Sequence, residues 1–457
     1  MRVKGISIIG LGYVGLPLAV FLAEKGYRVF GVDKDESKIN SLLEGKVYLY
    51  EEGLAERLVY HLRRKSLNFT TDYSTAVKYS DITFITVGTP TLKDGAQDLS
   101  QIISSLTPIA RLLREKEDYH LIVVKSTILP EYSRKVLIPH IETVSGKKVG
   151  SEIGFVYNPE FIREGKALYD FNNPSKIIIG EYDQKSGDYL ASLYVKIYGE
   201  NAPIIRTTLE NAELCKYANN IYLALKISYI NSIARICELI PNTDVEVIRQ
   251  IIGLDPRINS SYMEAGLGFG GSCLPKDLRA MIKYAMERGY LPELFNAIIH
   301  VNEMQALWPI TYLKNIYKQL KNKVISILGL TFKENTDDVR ESQSIPIIKE
   351  LLNCGAIVKV YDPLGMENFR RLFPFLNKNV IFSKDPLDCI KDADAVIIAT
   401  KWSQFLSLSP KDFRRYMRNP LVIDGRRLYS PEDFRDTGVI YIRVGTYPSN
   451  PNIDLEM

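Results

Sequence analysis

The N-terminal segment constrains the fold most tightly. Residues 5–9 are apolar or small throughout, which is the pattern of a strand buried in a parallel sheet. Residues 10–15 read G-x-G-x-x-G, and a helical pattern continues to about residue 25. A second strand over residues 27–32 ends at Asp33. A strand, a glycine turn, a helix and a second strand form the opening unit of a doubly wound α/β sheet.

The glycine turn also has the spacing of a dinucleotide-binding loop. Its first glycine permits the tight turn, the second lets a pyrophosphate approach the backbone, and the third allows the helix to pack closely on the strand. Asp33 lies where a carboxylate binds the ribose 2′-hydroxyl of NAD and repels the additional phosphate of NADP. The sequence therefore predicts NAD as the cofactor, and the predicted binding residues of this segment are Gly10, Gly12, Tyr13, Val14, Gly15 and Asp33.

Two later predicted strands end in loops that could close over a nicotinamide ring. Thr89 follows the strand over residues 81–87, and Thr127 follows the strand over residues 121–125. In doubly wound sheets, ligands bind beyond the carboxyl ends of the strands, where both threonines fall. Ordinary turn chemistry explains both residues equally well.

A further segment after a strand, residues 155–165, places Glu160 and Glu164 on either side of Arg163. Either acid could act as a base or contact the cofactor. Either could equally form a solvated salt bridge with the arginine. The residues alone leave both interpretations open.

Residues 207–240 contain no Gly or Pro, and apolar residues recur there at helical spacing. This pattern predicts one long helix that ends at Pro241. Lys216 and Asn220 are four residues apart and project from one face, where they can hydrogen-bond a substrate oxyanion and its hydroxyls. A solvated helix face is the alternative. The helix is more apolar than one neighbour would cover, which predicts that it packs on its twin in a homodimer.

Residues 266–271 contain four glycines and precede Cys273, Lys276 and Asp277. A cysteine is nucleophilic as the thiolate, and either Lys276 or the start of the helix predicted over residues 278–285 would lower the pKa of Cys273. A buried structural cysteine in a glycine-rich turn is the alternative. That alternative leaves Lys276 and Asp277 unexplained, so we predict that Cys273 is catalytic.

The C-terminal third repeats the N-terminal pattern in degenerate form. Residues 323–330 resemble residues 4–11, and the strand over residues 357–361 ends at Asp362 as its counterpart ends at Asp33. The predicted fold class is α/β, with two Rossmann-like doubly wound parallel-sheet domains joined by a long central helix. The predicted domains cover residues 1–200, 201–305 and 306–457.

The turn of the second repeat has changed. After Gly329 the second and third glycines are missing, so a dinucleotide pyrophosphate cannot approach so closely. Lys333 suggests instead a cation for a different phosphorylated ligand. Arg340 could reach across an interdomain cleft, or it could belong to a surface ion-pair network.

Composition excludes several classes of function. The net charge of +4 over 457 residues, without a long basic run, gives no signal for nucleic acid. No apolar run approaches the roughly 20 residues that span a bilayer. The five cysteines are odd in number and widely spaced, which predicts no metal site and a reducing, cytoplasmic location.

Taken together, these motifs resemble the nucleotide-sugar 6-dehydrogenases, the UDP-glucose/GDP-mannose dehydrogenase family, which oxidise UDP-glucose or related sugars to uronic acids. The resemblance covers nearly the whole chain, with several separate motifs in the family's order. It rests on residues 10–15, 88–90, 126–127, 158–165, 213–220, 268–277 and 329–342.

The resemblance implies an NAD-binding domain over residues 1–200, a helical dimerisation segment with the cysteine loop over 201–305, and a nucleotide-sugar domain over 306–457. The catalytic residues that it implies are Cys273, Lys216, Asn220, Asp277, Glu160 and Thr127. The further cofactor contacts are Lys38, Thr89, Thr127, Glu164, Lys276 and Arg340. The substrate contacts are Glu160, Phe161, Ile162, Arg163, Lys216, Asn220, Arg257, Tyr262, Gly266, Phe269, Gly270 and Lys333, with Arg257 reaching the sugar of the partner subunit.

The resemblance also implies a four-electron oxidation that uses two NAD. Cys273 attacks the intermediate aldehyde, a second hydride transfer yields a thioester, and Glu160 with a water near Thr127 directs its hydrolysis. Ser272 before the cysteine resembles the glucose and GDP-mannose branches, and UDP-glucose is the expected substrate. GDP-mannose and UDP-N-acetylhexosamines are the alternatives within the family. A two-electron hydroxyacid dehydrogenase and a non-catalytic nucleotide-sugar sensor are the alternatives from other classes.

Overall fold

The computed structural model describes residues 3–92, 94–377 and 379–448. The chain forms two compact units, of which the first contains the residues up to Asn219 together with Arg279–Arg288. The second contains Asn220–Leu278 and the residues from Gly289 onward. Each unit is built on one sheet, and nearly all strand pairs in the two sheets are parallel.

The first unit contains an eight-stranded sheet. Its strands are β1 (Ile6–Ile9), β2 (Val29–Val32), β3 (Leu67–Thr70), β4 (Ile82–Ile85), β5 (His120–Val124), β6 (Ile153–Tyr157), β7 (Ile177–Glu181) and β8 (Ile204–Thr208). Their order is β3-β2-β1-β4-β5-β6-β7-β8, and only the β6–β7 pair is antiparallel. The first six strands follow the doubly wound order of a dinucleotide-binding domain.

Helices cover both faces of this sheet, and two buried apolar clusters fill the space beneath them. The helices are α1 (Gly15–Glu24), α2 (Glu36–Leu43), α3 (Leu54–Arg63), α4 (Tyr73–Lys78), α5 (Ser100–Leu113), α6 (Ile138–Ser145), α7 (Ala167–Asn172) and α8 (Gln184–Tyr198). A π-helical turn, Ser133–Leu137, precedes α6. The central strands β1, β4 and β5 are buried along their whole length, which explains why they read as unbroken hydrophobic runs.

The predicted long helix is present as α9 (Leu209–Cys237). It belongs to the first unit up to Asn219 and to the second unit from Asn220. The helix is shorter at both ends than the predicted range, residues 207–240. Residues 207 and 208 are the last residues of strand β8, whose hydrogen bonds to β7 fix them in an extended conformation. Residues 238–240 form turns, and Thr243 caps the end of the helix by donating to the carbonyl oxygens of Cys237 and Ile240.

The second unit contains a six-stranded sheet in which every pairing is parallel. Its strands are β9 (Val324–Leu328), β10 (Ile357–Tyr361), β11 (Val380–Phe382), β12 (Ala395–Ile398), β13 (Leu421–Asp424) and β14 (Ile440–Arg443). Their order, β11-β10-β9-β12-β13-β14, repeats that of the first six strands of the first unit. The prediction of two doubly wound parallel sheets is confirmed.

The remaining helices surround the second sheet or precede it in the chain. They are α10 (Val245–Gly253), α11 (Leu274–Met286), α12 (Glu293–Ala306), α13 (Trp308–Tyr317), α14 (Ser344–Asn353), α15 (Met366–Leu372), α16 (Pro374–Asn377), α17 (Pro386–Ile390) and α18 (Pro410–Tyr416). Two 3₁₀ turns, Ser403–Ser407 and Pro431–Phe434, complete the unit. In the described ranges no helix combines the length and hydropathy needed to cross a bilayer.

A short segment late in the chain completes the first unit. Residues Arg279–Arg288, which include most of helix α11, belong to it. The Tyr284 hydroxyl donates to the Pro130 carbonyl oxygen at 3.3 Å. The Arg288 guanidinium pairs with the Glu131 carboxylate at 2.7 Å. The first unit is therefore discontinuous in sequence.

Asp362 closes the first turn of the second sheet. Its carboxylate is buried and accepts hydrogen bonds from the backbone N–H groups of Leu330, Thr331, Leu364 and Gly365 at 2.7–3.0 Å. It also accepts a bond from the Trp402 indole at 3.1 Å. The aspartate that ends the second strand therefore satisfies the turn itself, and little of its hydrogen-bonding capacity is left for a ribose.

Replacing Asp362 by alanine should destabilise the second unit strongly. The substitution leaves several buried N–H donors without an acceptor, each at a cost of about 1–3 kcal/mol, so we expect the free energy of unfolding to fall by at least about 3 kcal/mol. Urea unfolding followed by circular dichroism would measure the loss. Glu367→Ala, which removes an exposed carboxylate of α15, should change the stability by less than about 0.5 kcal/mol. Equal stability of the two variants would contradict the role assigned to Asp362.

Candidate functional site

The glycine turn between β1 and α1 has the geometry that a bound pyrophosphate requires. Gly10 has a φ of +94°, and Gly15 lies so close to the strand that a Cβ there would stand 1.9 Å from the Gly10 carbonyl oxygen. At Gly12, by contrast, a Cβ would meet no atom within 4 Å. Protein packing requires the first and third glycines, whereas the open space above Gly12 is free for a ligand at the helix N-terminus. The half-buried Tyr13 and Val14 complete the turn.

Asp33 lies at the end of β2, beside this turn. Its carboxylate accepts hydrogen bonds from the Leu11 N–H at 2.9 Å and from the Asp35 N–H at 3.1 Å. The Lys38 ammonium stands 3.8 Å from the carboxylate and 5.4 Å from the ring centre of Tyr48. Asp33 is held in place but is not buried, unlike Asp362, so it can still accept hydrogen bonds from a ribose. The residues present therefore fit an NAD adenosine at this edge.

The two predicted threonines follow neighbouring strands of the same sheet. Thr89 is buried after β4, and Thr127 is half-buried after β5. The Thr127 carbonyl oxygen accepts a hydrogen bond from the Gln97 side-chain amide at 2.7 Å. The Ser126 hydroxyl donates to the Val87 carbonyl oxygen at 2.7 Å, which ties the two loops together. The structure therefore brings both threonine loops to the carboxyl ends of β4 and β5.

Glu160 and Lys216 form a buried ion pair. The Lys216 ammonium on α9 donates to the Glu160 carboxylate at 2.8 Å and to the Glu160 carbonyl oxygen at 2.7 Å. Burial acts to raise the pKa of Glu160. The charge and hydrogen bond of Lys216, the Ile162 N–H and the charge of Lys125 outweigh burial, and the pKa of Glu160 lies below its usual range. Glu160 is therefore held as the carboxylate.

The residues around this pair differ in their surroundings. The Phe161 ring has the Lys176 ammonium 4.2 Å from its centre and the Lys216 ammonium at 5.3 Å. Arg163 is exposed and forms a salt bridge with Asp170 at 2.5 Å. The sequence analysis had considered Glu160 and Glu164 as its partners. Ile162 and Glu164 are half-buried in the loop between β6 and α7.

Cys273 lies in the second unit, immediately before the first residue of helix α11. This confirms the predicted place at a helix N-terminus, where the helix dipole favours a thiolate. Its Sγ is half-buried and lies 3.6 Å from the Ser272 hydroxyl. The Asp277 N–H donates to the Cys273 carbonyl oxygen at 2.9 Å, which forms the first turn of the helix.

Asp277 joins three of the predicted residues. Its buried carboxylate accepts a hydrogen bond from the Asn220 side-chain amide at 2.7 Å and pairs with the Lys276 ammonium. The sequence suggested that Lys276 acts on the thiol, whereas the structure gives its charge a carboxylate partner. Asn220, Asp277 and Lys276 form one polar cluster in the second unit, and the backbone hydrogen bond of the first helical turn links this cluster to Cys273.

The glycines before Cys273 serve the packing of the loop. Gly268 and Gly271 have φ values of +102° and +83°. A Cβ on Gly270 would stand 2.2 Å from the Glu341 carbonyl oxygen, and one on Gly271 would stand 2.8 Å from the Phe332 ring. Close packing within the second unit therefore requires glycine at positions 270 and 271.

Other predicted residues of the second unit have protein partners. Gly266 and Phe269 are buried, and both carry backbone hydrogen bonds to side-chain amides, Gly266 to Asn231 and Phe269 to Asn302. Arg257 is exposed and pairs with Asp255 at 2.6 Å. The remaining three are Tyr262, exposed with a φ of +61°, Lys333, half-buried beside the Phe332 ring, and Arg340, which pairs with Asp338 at 2.7 Å.

Arg426 is a half-buried cation beside the cysteine loop, and the sequence analysis did not identify it. Its guanidinium donates to the Ala399 carbonyl oxygen at 2.7 Å and to the Gly268 carbonyl oxygen at 3.3 Å. Burial lowers the pKa of Arg426 to about 10. A usable signal existed, because Arg426 follows the carboxyl end of β13, where ligands of such sheets bind. Within the described ranges no group of three or more His, Cys, Asp or Glu residues could hold a metal ion.

Comparison with known proteins identifies the family. Models of the UDP-glucose/GDP-mannose dehydrogenase family match the NAD binding domain over residues 4–198, the central domain over residues 210–304 and the UDP binding domain over residues 326–431. The UDP-glucose 6-dehydrogenase AglM of Haloferax volcanii is 40% identical over 94% of this chain and 98% of its own length.

Solved structures agree with these matches. A UDP-glucose dehydrogenase from Pyrobaculum islandicum superposes with a TM-score of 0.88 at 35% identity, covering 98% of each chain. A UDP-D-ManNAc dehydrogenase from Pyrococcus horikoshii gives 0.84 at 25% identity, covering 96% of this chain and 99% of that one. With an NAD-binding turn, two doubly wound sheets and family models over most of its length, the chain belongs to the UDP-glucose/GDP-mannose dehydrogenase family and is an NAD-dependent oxidoreductase.

Proposed function

We propose that the protein oxidises UDP-glucose to UDP-glucuronate in two NAD-dependent steps, with the sugar held on Cys273 as a thiohemiacetal and then as a thioester. The observation that carries the proposal is the cluster at the start of α11, where a half-buried thiol at a helix N-terminus lies beside the bonded Asn220–Asp277 pair. A cysteine with only a structural role would not need this arrangement.

The first unit would hold the cofactor. Gly10, Gly12 and Gly15 leave the N-terminus of α1 open to the pyrophosphate, and Asp33 would accept hydrogen bonds from the adenosine ribose. The other proposed contacts are Tyr13, Val14, Lys38, Thr89, Thr127, Glu164, Lys276 and Arg340. Bound NAD supplies the hydride acceptor in both oxidations.

Asp277 would begin the reaction by accepting the proton of the C6 hydroxyl through a water. The Cys273 thiolate then attacks the aldehyde carbon, a C–S bond forms, and the carbonyl oxygen becomes an oxyanion. Lys216 and Asn220, four residues apart on α9, would stabilise that oxyanion with a charge and an amide N–H. The covalent bond keeps the aldehyde from leaving before the second oxidation.

Glu160 would direct the hydrolysis of the thioester. It is held ionised by the buried pair with Lys216, so it can accept a proton from a water that the Thr127 hydroxyl helps to position. The water oxygen bonds to the acyl carbon, the C–S bond breaks, and the thiolate is regenerated. Glu164 is the other acid of this loop, and the direct hydrogen bond from Lys216 to the Glu160 carboxylate supports the assignment to Glu160.

The identity of the sugar is inferred from one residue and from the relatives of the chain. Ser272 before the nucleophile and the relatives named for UDP-glucose favour glucose. A structure similar to this one is named for UDP-D-ManNAc, so N-acetylated sugars stay an alternative, as does GDP-mannose. The proposed sugar contacts beyond the catalytic residues are Phe161, Ile162, Arg163, Arg257, Tyr262, Gly266, Phe269, Gly270 and Lys333.

We also propose that the protein is a homodimer formed through α9, with Arg257 contributing to the partner's site. Tyr222, Tyr229 and Ile236 recur at intervals of seven on this helix, and all three are about half exposed. Such a stripe is typical of a helix that packs on another copy. A cytoplasmic location stays a prediction that rests on the five free thiols.

The number of NADH formed per UDP-glucose tests the reaction, and substitution of Cys273 tests its mechanism. Purified protein should form two NADH per UDP-glucose, faster than with GDP-mannose or UDP-N-acetylmannosamine. Cys273→Ser should lower the rate of UDP-glucuronate formation by at least roughly 10³-fold, because the thioester cannot form. Cys354→Ser, which changes another half-buried free thiol, should leave the rate unchanged. One NADH per sugar would contradict the thioester, and no NADH with any of these sugars would favour the sensor.

Asp33→Asn tests the cofactor site. We expect about tenfold weaker NAD binding and a gain in relative affinity for NADP, because the carboxylate that repels the additional phosphate is gone. Isothermal titration calorimetry with each dinucleotide would measure both dissociation constants. Asp35→Asn, at the half-buried N-cap of α2, should leave the ratio of the NAD and NADP affinities unchanged. An unaltered ratio in Asp33→Asn would show that Asp33 does not select the cofactor.

Tyr229→Asp tests the dimer. A carboxylate in the middle of the apolar stripe of α9 should be too costly to desolvate at an interface, so the mass measured by light scattering should fall from about two chains to one. Tyr169→Asp, an equally exposed tyrosine of α7, is the matched control and should keep the mass of the wild type. A wild-type protein that is monomeric at micromolar concentration would contradict the proposal directly.

A further inference from the structure

Lys125 is a buried cation for which the proposed reaction has no use. It follows the last residue of β5, and its side chain and backbone together are only 5% exposed. Its ammonium donates to the Asn158 side-chain oxygen at 2.9 Å and to the Asn158 carbonyl oxygen at 3.2 Å. Both acceptors are neutral. Burying an ammonium group that is bonded only to neutral acceptors costs desolvation free energy, so we looked for a function that such a cation could serve.

Asn158 is the centre of a pinned turn. Its side-chain oxygen also accepts a hydrogen bond from the Tyr194 hydroxyl at 2.5 Å, and its amide donates to the Ile178 carbonyl oxygen at 2.6 Å. Strand β5, strand β7 and helix α8 thus all hold the residue that lies two positions before Glu160. Displacing Asn158 would move the carboxylate that is proposed to direct hydrolysis.

Lys125 also acts on Glu160 by its charge. The ionisable groups whose charges bear on Glu160 are Lys216 on α9 and Lys125 after β5. Nearby, Lys176 stands over the adjacent Phe161 ring, and Tyr194 stays neutral because burial raises its pKa well above the usual range. Burial lowers the pKa of Lys125 to about 8; the charge of Glu160 opposes this shift, and that of Lys216 adds to it. One buried carboxylate therefore lies among two buried ammonium groups.

We propose that Lys125 is a positioning residue that keeps Glu160 ionised and in place for the hydrolysis of the thioester. The inference rests on the function proposed above and deepens it. In that step Glu160 takes one proton of the water, the water oxygen bonds to the acyl carbon, and the C–S bond breaks to release the carboxyl group and the Cys273 thiolate. Two cations serve one carboxylate because Lys216 is also required at the oxyanion, whereas Lys125 is fixed on Asn158 and stays with Glu160.

The experiment compares substitutions that separate charge from geometry. Lys125→Met and Lys125→Gln remove the cation, and the glutamine keeps a donor towards Asn158. Lys125→Arg keeps the charge. Tyr194→Phe removes a hydrogen bond to the same Asn158 oxygen without changing any charge. For each variant that circular dichroism shows to be folded, the pH profile of kcat and the rapid-mixing burst of NADH would be measured with UDP-glucose.

Loss of the cation should affect hydrolysis and spare the oxidations. Without its positive charge the pKa of Glu160 rises, so the acid limb of kcat should move to higher pH by about one unit, a roughly tenfold loss of rate on the acid side. The burst of two NADH per active site should persist in Lys125→Met and Lys125→Gln. Acid quenching and mass spectrometry should find the acyl adduct accumulated on Cys273. Lys125→Arg and Tyr194→Phe should keep the acid limb of the wild type.

Two results would overturn the inference while leaving the proposed function intact. The first is that Lys125→Met and Lys125→Gln keep the acid limb of the wild-type kcat profile and accumulate no acyl adduct on Cys273. The other is a shift in Tyr194→Phe equal to that of Lys125→Met, because the effect would then be one of geometry alone. Failure of the unchanged protein to form NADH from UDP-glucose would overturn the proposed function and the role of Lys125 together.

Discussion

Parallel pairing of strands is the constraint on which the rest of the molecule depends. In a parallel sheet every carboxyl end emerges at the same edge, so the loops that follow neighbouring strands must lie side by side. In the first unit this edge holds the glycine turn after β1, Asp33 after β2, and the threonine loops after β4 and β5. The turn with Glu160 follows β6 at the same edge, although it is more than 120 residues away from Asp33 in sequence. The hydrogen bonds of the sheet thus place residues that have no local reason to meet.

The two sheets share one strand order and differ in what their first turns can accept. Asp33 and Asp362 occupy corresponding positions, each at the end of the second strand. The Asp33 carboxylate keeps hydrogen-bonding capacity for a ribose. The Asp362 carboxylate is saturated by five N–H groups of its own unit, and the glycine that would admit a pyrophosphate is absent there. In the second unit the aspartate at this position therefore stabilises the turn and has little capacity left to bind a ribose.

The sequence predicted those parts of the molecule that depend on local pattern. Continuous apolar runs bounded by glycine identify β1 and β9, and the absence of Gly and Pro identifies α9, because each pattern reflects the burial of a single element. The ends of α9 were missed by two or three residues, since the pairing of β8 with β7 decides where the helix can begin. Local pattern also placed Cys273 correctly at the start of α11.

Long-range contacts account for most of what could not be predicted. The close approach of Gly270 to the backbone of Glu341, which lies 71 residues later in the sequence, could not be predicted. The ion pair between Lys276 and its neighbour Asp277 was likewise not predicted. Lys125 belongs to no motif, because a buried cation is recognised by its surroundings and not by its spacing in the sequence. Only the packed structure reveals the pairs that such residues form.

The discontinuity of the first unit has a consequence for synthesis on the ribosome. The contacts of Tyr284 and Arg288 with Pro130 and Glu131 cannot form until residue 288 has been made. At the usual translation rate of about 5–20 residues per second, roughly several seconds pass between the synthesis of Asn219 and that of the last segment of the first unit. Cys273 is translated within that interval. The complete first unit, with its NAD-binding sheet, therefore cannot form before residue 288 has been made.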